Sequence, residues 1–287
     1  MDPNPLELRH LRALVAVTEE GTFTAAAARL GISQPALSRT VVALEALLEG
    51  QLVTRTTRSV ALTDVGVRTY RAAVAALAAV DDVAAAAGRQ PRPLRLGYAW
   101  SALGRHTGEV MRRWRSDYPQ VPLEVHRVDH ADGGLDRGIA DVAVVRGEFE
   151  RSDRVTQLLF REPRMAVLPV GHRLAAQESI LLGELRDETV VITHYGITRL
   201  DLWPPSERPR VALTVDNTDD WLTEIAGGLG IGVTGESTAS QHAHPGVTFV
   251  PIDDAERLAV HLAWPVRPTH PATAEFAELV TRVVTSR

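Results

Sequence analysis

The feature that most constrains this chain is a stop-and-restart signal between two short apolar stripes, Gly31-Ile32-Ser33-Gln34-Pro35. Glycine ends a helix by taking the left-handed conformation, serine caps the next one, and proline fits a first turn where its missing N–H costs nothing. Ahead of the signal, Phe23, Ala26, Ala27 and Leu30 recur at helical spacing behind Thr22 or Thr24 as N-cap; behind it, Leu37, Val41, Leu44 and Leu48 form a second stripe. An earlier helix carries Leu8, Leu11 and Val15 and ends at Gly21. Three helices joined this tightly over residues 6–48 bury their stripes against one another. The other side of the third helix, with Gln34 at its amino end followed by Pro35, Ser38, Arg39 and Val42, must then face something polar. Arg55-Thr-Thr-Arg58 and the β-branched residues up to Thr63 predict a short two-stranded wing.

That outward side suits a DNA major groove. A glutamine pairs with an adenine edge, an arginine forks onto guanine or phosphate, serine bonds either, and valine meets a thymine methyl. The candidate DNA-binding residues are Thr24, Ser33, Gln34, Pro35, Ser38, Arg39 and Val42, with Arg55 and Arg58 on the wing positioned for phosphate or the minor groove. A net charge of −5 excludes a polycation that coats nucleic acid, so any contact is local. Residues 1–64 hold six arginines against seven acids, but residues 29–58 hold four arginines against Glu45 and Glu49 alone. All 31 basic residues of the chain are arginine. A three-helix protein-interaction module is the bland alternative.

From Asp64 to about Gly88 the chain turns alanine-rich, and Gly66, Tyr70, Ala73, Leu77, Val80, Ala84 and Ala87 alternate at spacings of four and three. The expected use of this seam is an antiparallel helix of a second subunit, with packing on its own domain as the alternative. Gly88-Arg-Gln-Pro-Arg-Pro93 then reads as a hinge. The 287 residues suggest about two domains: residues 1–63, a linker helix and hinge at 64–90, and a second domain at 91–287. In the latter, strands at 94–98, 123–128, 142–145, 165–169, 190–193, 211–215 and 231–234 alternate with helices at 107–118, 134–139, 218–226 and 272–284. This is α/β patterning. The strand ending at Tyr98 is expected to run through Ala99-Trp100-Ser101 into a helix whose free N–H groups form an anion site. The strand at 190–193 brings His194 and Tyr195 to a lobe edge, and 231–234 brings Thr234 to another.

Other chemistry is excluded or weak. With no cysteine there is no disulfide, thiol nucleophile or thiolate metal site. Gly227-Gly-Leu-Gly-Ile-Gly232 follows a helix and precedes a strand, the reverse of a dinucleotide fingerprint, and reads as a cap with close packing. His242-Ala-His244 lacks further local ligands, so no metal is expected. No Gly-x-Ser-x-Gly elbow marks a nucleophile, and no enzyme or cofactor is expected. Met1 to His10 lacks a secretory pattern and no uninterrupted apolar run spans a membrane, which places the expected protein in the cytoplasm.

Residues 6–66 resemble the DNA-binding domain of LysR-type transcriptional regulators. The likeness is carried by Val15-Ala-Val-Thr-Glu-Glu-Gly-Thr-Phe-Thr-Ala-Ala-Ala, Leu30-Gly-Ile-Ser-Gln-Pro-Ala-Leu-Ser38, Leu44-Glu45, and Arg55-Thr-Thr-Arg58 through Leu62-Thr63 to Gly66. Leu14, Glu49 and Val53 depart from it, where phenylalanine, glycine and phenylalanine are usual. The resemblance implies a winged helix-turn-helix and a dimerising linker helix. Beyond them it implies a two-lobed α/β effector domain like periplasmic solute-binding proteins, lobe 1 at about 91–163 plus 267–287 and lobe 2 at about 164–266. It implies effector contacts at Ser101 and at Arg146, which ends Asp141-Val-Ala-Val-Val-Arg146, whereas Val128-Asp-His130 stands where a threonine is frequent. Arg146 suits a bidentate carboxylate, and the expected effector is a small organic anion. The implied partners are double-stranded operator DNA, a homodimer assembling to a homotetramer, and RNA polymerase. A solute receptor and an enzyme with a DNA-binding module remain as rival readings.

Overall fold

The computed structural model describes residues 6–55, 60–86 and 92–286. Helices Leu8–Glu20 (α1), Phe23–Leu30 (α2) and Gln34–Leu47 (α3) enclose a core in which Leu14, Val17, Ala26, Leu37, Val41 and Leu44 are fully buried. Gly21 and Gly31 end the first two helices at φ 68° and 66°. Thr22, not Thr24, caps α2 by accepting from the Ala25 N–H, and Ser33 caps α3 through the Ala36 N–H. Strands Val53–Arg55 (β1) and Val60–Leu62 (β2) pair antiparallel as the expected wing. Glu45 fastens it to α3, accepting from the N–H groups of Leu52 and Val53 at 2.8 and 3.1 Å.

Just after α3, Glu49 sits at φ 51°, a left-handed conformation that favours glycine. Glu49→Gly is therefore expected to raise stability by about 0.5–1 kcal/mol. Chemical denaturation checks this, and a loss of stability would mean that the Glu49 side chain contributes more than its backbone strain costs.

Helix Asp64–Ala86 (α4) divides the seam between two uses. A Cβ on Gly66 would lie 1.9 Å from the Leu52 carbonyl, so α4 leaves the wing at backbone contact distance. Tyr70 and Ala73 are buried in the three-helix core, and Leu77 packs against it. The first half of the seam thus faces its own domain. Val65 and Val83 lie outside that packing, 41% and 71% exposed.

Most of the expected hinge, residues 88–91, lies outside the described residues; beyond it, Leu94–Tyr98 (β3), Thr107–Asp117 (α5), Leu123–Arg127 (β4), Val142–Arg146 (β5) and Arg154–Glu162 (β6) build lobe 1. Arg164–Pro169 (β7), Thr189–Thr193 (β8), Arg210–Val215 (β9), Thr218–Ala226 (α6), Gly232–Gly235 (β10), Glu236–Gln241 (α7) and Val247–Pro251 (β11) build lobe 2. The chain then returns to lobe 1 through Leu258–Pro265 (β12) and ends in Thr273–Thr285 (α8). The lobe 1 sheet has the order β4-β3-β5-β12-β6, parallel between β4, β3 and β5 and antiparallel around β12. Trp114 of α5 and Phe276 of α8, edge to face at 5.2 Å, cover one side of it. Lobe 2 joins β10-β7-β11 to the parallel pair β8-β9 through a bridge between Val190 and Ile231.

Three expectations are corrected. Lobe 1 resumes at Leu258 rather than 267, because β12 pairs with both β5 and β6. Residues 131–139 form successive turns instead of a brief helix, since Gly133, Gly134 and Gly138 all have positive φ. Helix α5 starts at Thr107 as expected, but six residues beyond Ser101, so the strand does not run through Trp100 and Ser101 directly into it. The glycine run from Gly227 does cap and pack: Gly227 ends α6, and a Cβ on Gly232 would meet the Trp221 ring at 2.1 Å.

Candidate nucleic-acid interface and interlobe cleft

The helix-turn-helix leaves one coherent outward surface. Thr24, Ser33, Gln34, Pro35 and Arg39 are exposed, Ser38 is half-buried, and Val42 is 52% exposed, while Leu37, Val41 and Leu44 on the other side of α3 are sealed in the core. This is a ridge of small and polar side chains with Arg39 among them, the chemistry of a groove reader. Arg29 does not add to it, because Glu19 and Glu20 neutralise its guanidinium. The local positive balance counted in the sequence is therefore smaller at the surface. Arg55 ends β1, and Arg58 lies outside the described residues.

Between the lobes, the loop after β3 carries Trp100 and Ser101. Trp100 meets Tyr195 of lobe 2 with ring centroids 5.5 Å apart. Ser101 is buried at φ 54°, and neither its Oγ nor the Trp100 Nε1 has a hydrogen-bond partner. Buried, unsatisfied polar atoms on two consecutive residues are uncommon in a folded protein and make this loop a candidate contact for a ligand or ordered water. The free helix N–H groups expected here are replaced by carbonyls pointing inward. Arg146 Nη1 donates to the Trp100 carbonyl at 2.7 Å, and Nη2 donates to that of Ala102 at 2.9 Å and, more weakly, to that of Ser101 at 3.4 Å.

Arg146 therefore does not present its fork to a ligand in this structure. Its side chain is 1% exposed, its Nε bonds Glu162 at 3.1 Å, and the Trp100 ring lies 5.4 Å from its Cζ. Burial lowers its pKa, with Glu162 opposing. Glu162 in turn accepts from the backbone N–H and hydroxyl of Ser237 in lobe 2. Of the remaining candidates, His194 is exposed beside Asp216 at 3.4 Å. Tyr195 is buried with its hydroxyl 3.0 Å from that of Thr218, and burial pushes its pKa up to about 12. Thr234 is fully buried and paired with Thr238 at 2.7 Å. Ser101 and Tyr195 thus meet at the cleft through Trp100, while the Arg146 and Thr234 side chains bond behind it. A latch absent from the sequence reading spans the lobes, Arg127 at the end of β4 bonding Asp219 of α6 at 2.9 Å. Only spatial proximity reveals that pair, since 92 residues separate its members.

Family models match along nearly the whole described chain: residues 8–67 match the bacterial regulatory helix-turn-helix protein of the lysR family, and residues 87–285 the LysR substrate binding domain. The chain belongs to the LysR family. An uncharacterized HTH-type transcriptional regulator of Escherichia coli, YnfL, is 33% identical over 94% of this chain and 96% of its own. Two solved structures share the fold. A full-length OxyR variant from Pseudomonas aeruginosa aligns with TM-score 0.65 at 24% identity, covering 97% of this chain and 94% of that one. Full-length CbnR in complex with its target DNA aligns with TM-score 0.64 at 22% identity, covering 97% and 100%. This LysR protein is a DNA-binding transcriptional regulator with an effector domain for a small molecule, and its relatives are regulators rather than enzymes. Among the described residues no helix is long and apolar enough to cross a membrane.

Proposed function

We propose that this regulator reads its operator in the cytoplasm with the outward side of α3, positioned on the backbone by the wing, and that a small organic anion in the interlobe cleft sets its activity. Gln34, Ser38, Arg39 and Val42 contact base edges, Thr24, Ser33 and Pro35 frame the approach, and Arg55 and Arg58 hold phosphate or the minor groove. The effector contacts Ser101, His194 and Tyr195. Two subunits join through α4, whose exposed Val65 and Val83 favour a partner helix, and two dimers make a tetramer that meets RNA polymerase. An effector acts only through unequal affinity for two arrangements of the assembly. The Arg127–Asp219 latch and the Trp100–Tyr195 contact are the interlobe links it would alter.

The observation carrying this reading is the polarity of α3, sealed on one side and exposed with groove-reading residues on the other. Arg39→Ala is expected to weaken binding to the specific operator by about 1–3 kcal/mol while barely changing affinity for random duplex. Arg58→Ala should weaken both alike and lower the salt slope by about one. Gel-shift titrations over a range of salt check both, and equal losses on the two DNAs for Arg39→Ala would rule out base reading by Arg39.

A further inference from the structure

The effector domain contains a cavity of about 570 Å³ whose walls include Glu148, Glu150 and His261 of lobe 1, Arg199 of lobe 2, and Arg164 where the chain crosses between them. Ser101, Trp100, His194 and Tyr195 take no part in its lining.

Arg164 is the anomaly. It is 7% exposed, and its Nε donates to the Glu256 carbonyl at 2.7 Å, yet its Nη1 is buried without an acceptor. The buried Arg146 and Arg154 and the part-buried Arg92 each hold a carboxylate, Glu162 at 3.1 Å, Asp136 at 2.6 Å and Asp141 at 2.9 Å, although Arg154 and Arg92 also leave their Nε unpartnered. Glu256, Asp201 and Glu162 lie near enough to Arg164 to favour its charge, but burial and the neighbouring Arg199 outweigh them and lower its pKa. Asp201 is engaged by Arg199, and Glu256 leans to Arg161 at the surface. A buried cation with no carboxylate in direct contact is unfavourable. His261 repeats the pattern on the same wall, with its Nδ1 buried and unpartnered.

We propose that this cavity is a second small-molecule site, and that its ligand binds through a single carboxylate supplying the missing counter-ion of Arg164, with Arg199 beside it. On the walls Asp201 pairs with Arg199 and Glu256 with Arg161, and the remaining charges, Glu148 and Glu150 against Arg164 and Arg257, already balance, so a ligand with two negative charges is disfavoured and the ligand is a monocarboxylate, with or without an amine at its far end. Because the walls come from both lobes and the crossover, such a ligand fixes the lobes relative to each other independently of the Ser101 cleft.

The test uses the full chain, with butyrate, 4-aminobutyrate and succinate as probes, read by calorimetric titration and by melting temperature, since a bound ligand raises Tm by mass action. Both monocarboxylates should bind, and succinate at least about tenfold more weakly. Arg164→Gln should remove the response, whereas Ser101→Ala should leave it intact. Without ligand, Arg164→Met should hold or raise Tm, because it removes an unpaired buried charge, while Arg154→Met should lower it. The proposal is overturned by no response to either monocarboxylate up to about 10 mM, by binding that survives Arg164→Gln, or by succinate binding as tightly. A response lost with Ser101→Ala would place the probes in the cleft and overturn the second site while leaving the cleft reading standing.

Discussion

Asp141→Ala is expected to destabilise the protein by about 3–5 kcal/mol, the usual consequence of removing one partner from a buried ionic cluster. Asp141 opens the segment leading into β5 and its side chain is fully buried. Its carboxylate accepts from both terminal nitrogens of Arg92 at 2.9 and 3.1 Å, from the backbone N–H, Nε and Nη2 of Arg95 at 3.1 Å, and from the Thr269 hydroxyl at 2.7 Å. One group thus ties Arg92 to β3 and to the loop before α8. Alanine leaves Arg92 and Arg95 without their carboxylate in a largely buried setting. Chemical denaturation reads the loss, and a variant within about 1 kcal/mol of the parent would show that the cluster is relaxed by solvent.

The same carboxylate should make the protein acid-labile. Burial would raise its pKa, but the bonds from Arg95 and Arg92 overcome this and hold it well below the usual carboxylate range. Asp132 behaves alike: burial opposes, yet His130 and the N–H groups of Asp136 and Gly134 bring it down to about 2. A carboxyl depressed in the folded state contributes stability that is complete above its unfolded pKa of about 4 and is lost as pH falls towards the folded value. Melting temperature should therefore drop from about pH 4 downward. Asp141→Asn should melt lower at neutral pH and show a shallower acid slope; an unchanged slope would remove Asp141 from the account.

What could be read from the chain alone was what neighbours in sequence decide. The stripes of α2 and α3, the caps at Gly21, Gly31 and Ser33, and the exposed ridge from Gln34 to Val42 depend on residues a few positions apart. Strands β6 and β12 escaped detection because Arg-Val-Thr-Gln-Leu-Leu-Phe-Arg-Glu has no clean alternation, and a register shift at Val260/His261 disrupts its pairing with β12. The turn at 131–139 looked helical only because its apolar residues are spaced by chance; the left-handed glycines and the Asp132 carboxylate decide otherwise. The α4 seam was ambiguous in principle, since Gly66, Tyr70 and Ala73 serve close packing whichever helix is the neighbour.

Arg146 shows how the absence of a partner in sequence misdirects a site assignment, and its replacement carries the second large expected effect. A lone arginine ending a strand near a cleft reads as a ligand clamp. Its true partner, Glu162, stands sixteen residues on and two strands away across the sheet, and its remaining donors hold the carbonyls of the loop that carries Trp100 and Ser101. Arg146→Met should then cost about 3–5 kcal/mol, because Glu162 is left buried without its cation and three carbonyls lose their donor. Glu162 also anchors Ser237, so the damage should reach α7 in lobe 2. A residue that merely clamped a ligand would behave oppositely, weakening effector response while leaving the unliganded protein as stable as before. Unfolding curves without effector separate these outcomes, and Arg146→Met combined with Glu162→Met supplies the decisive contrast. Removing both charges should recover much of the stability lost by removing one, since two apolar side chains replace an ion pair rather than orphan half of it. Failure of the double variant to recover would mean that the three carbonyls, not the carboxylate, are what Arg146 chiefly holds.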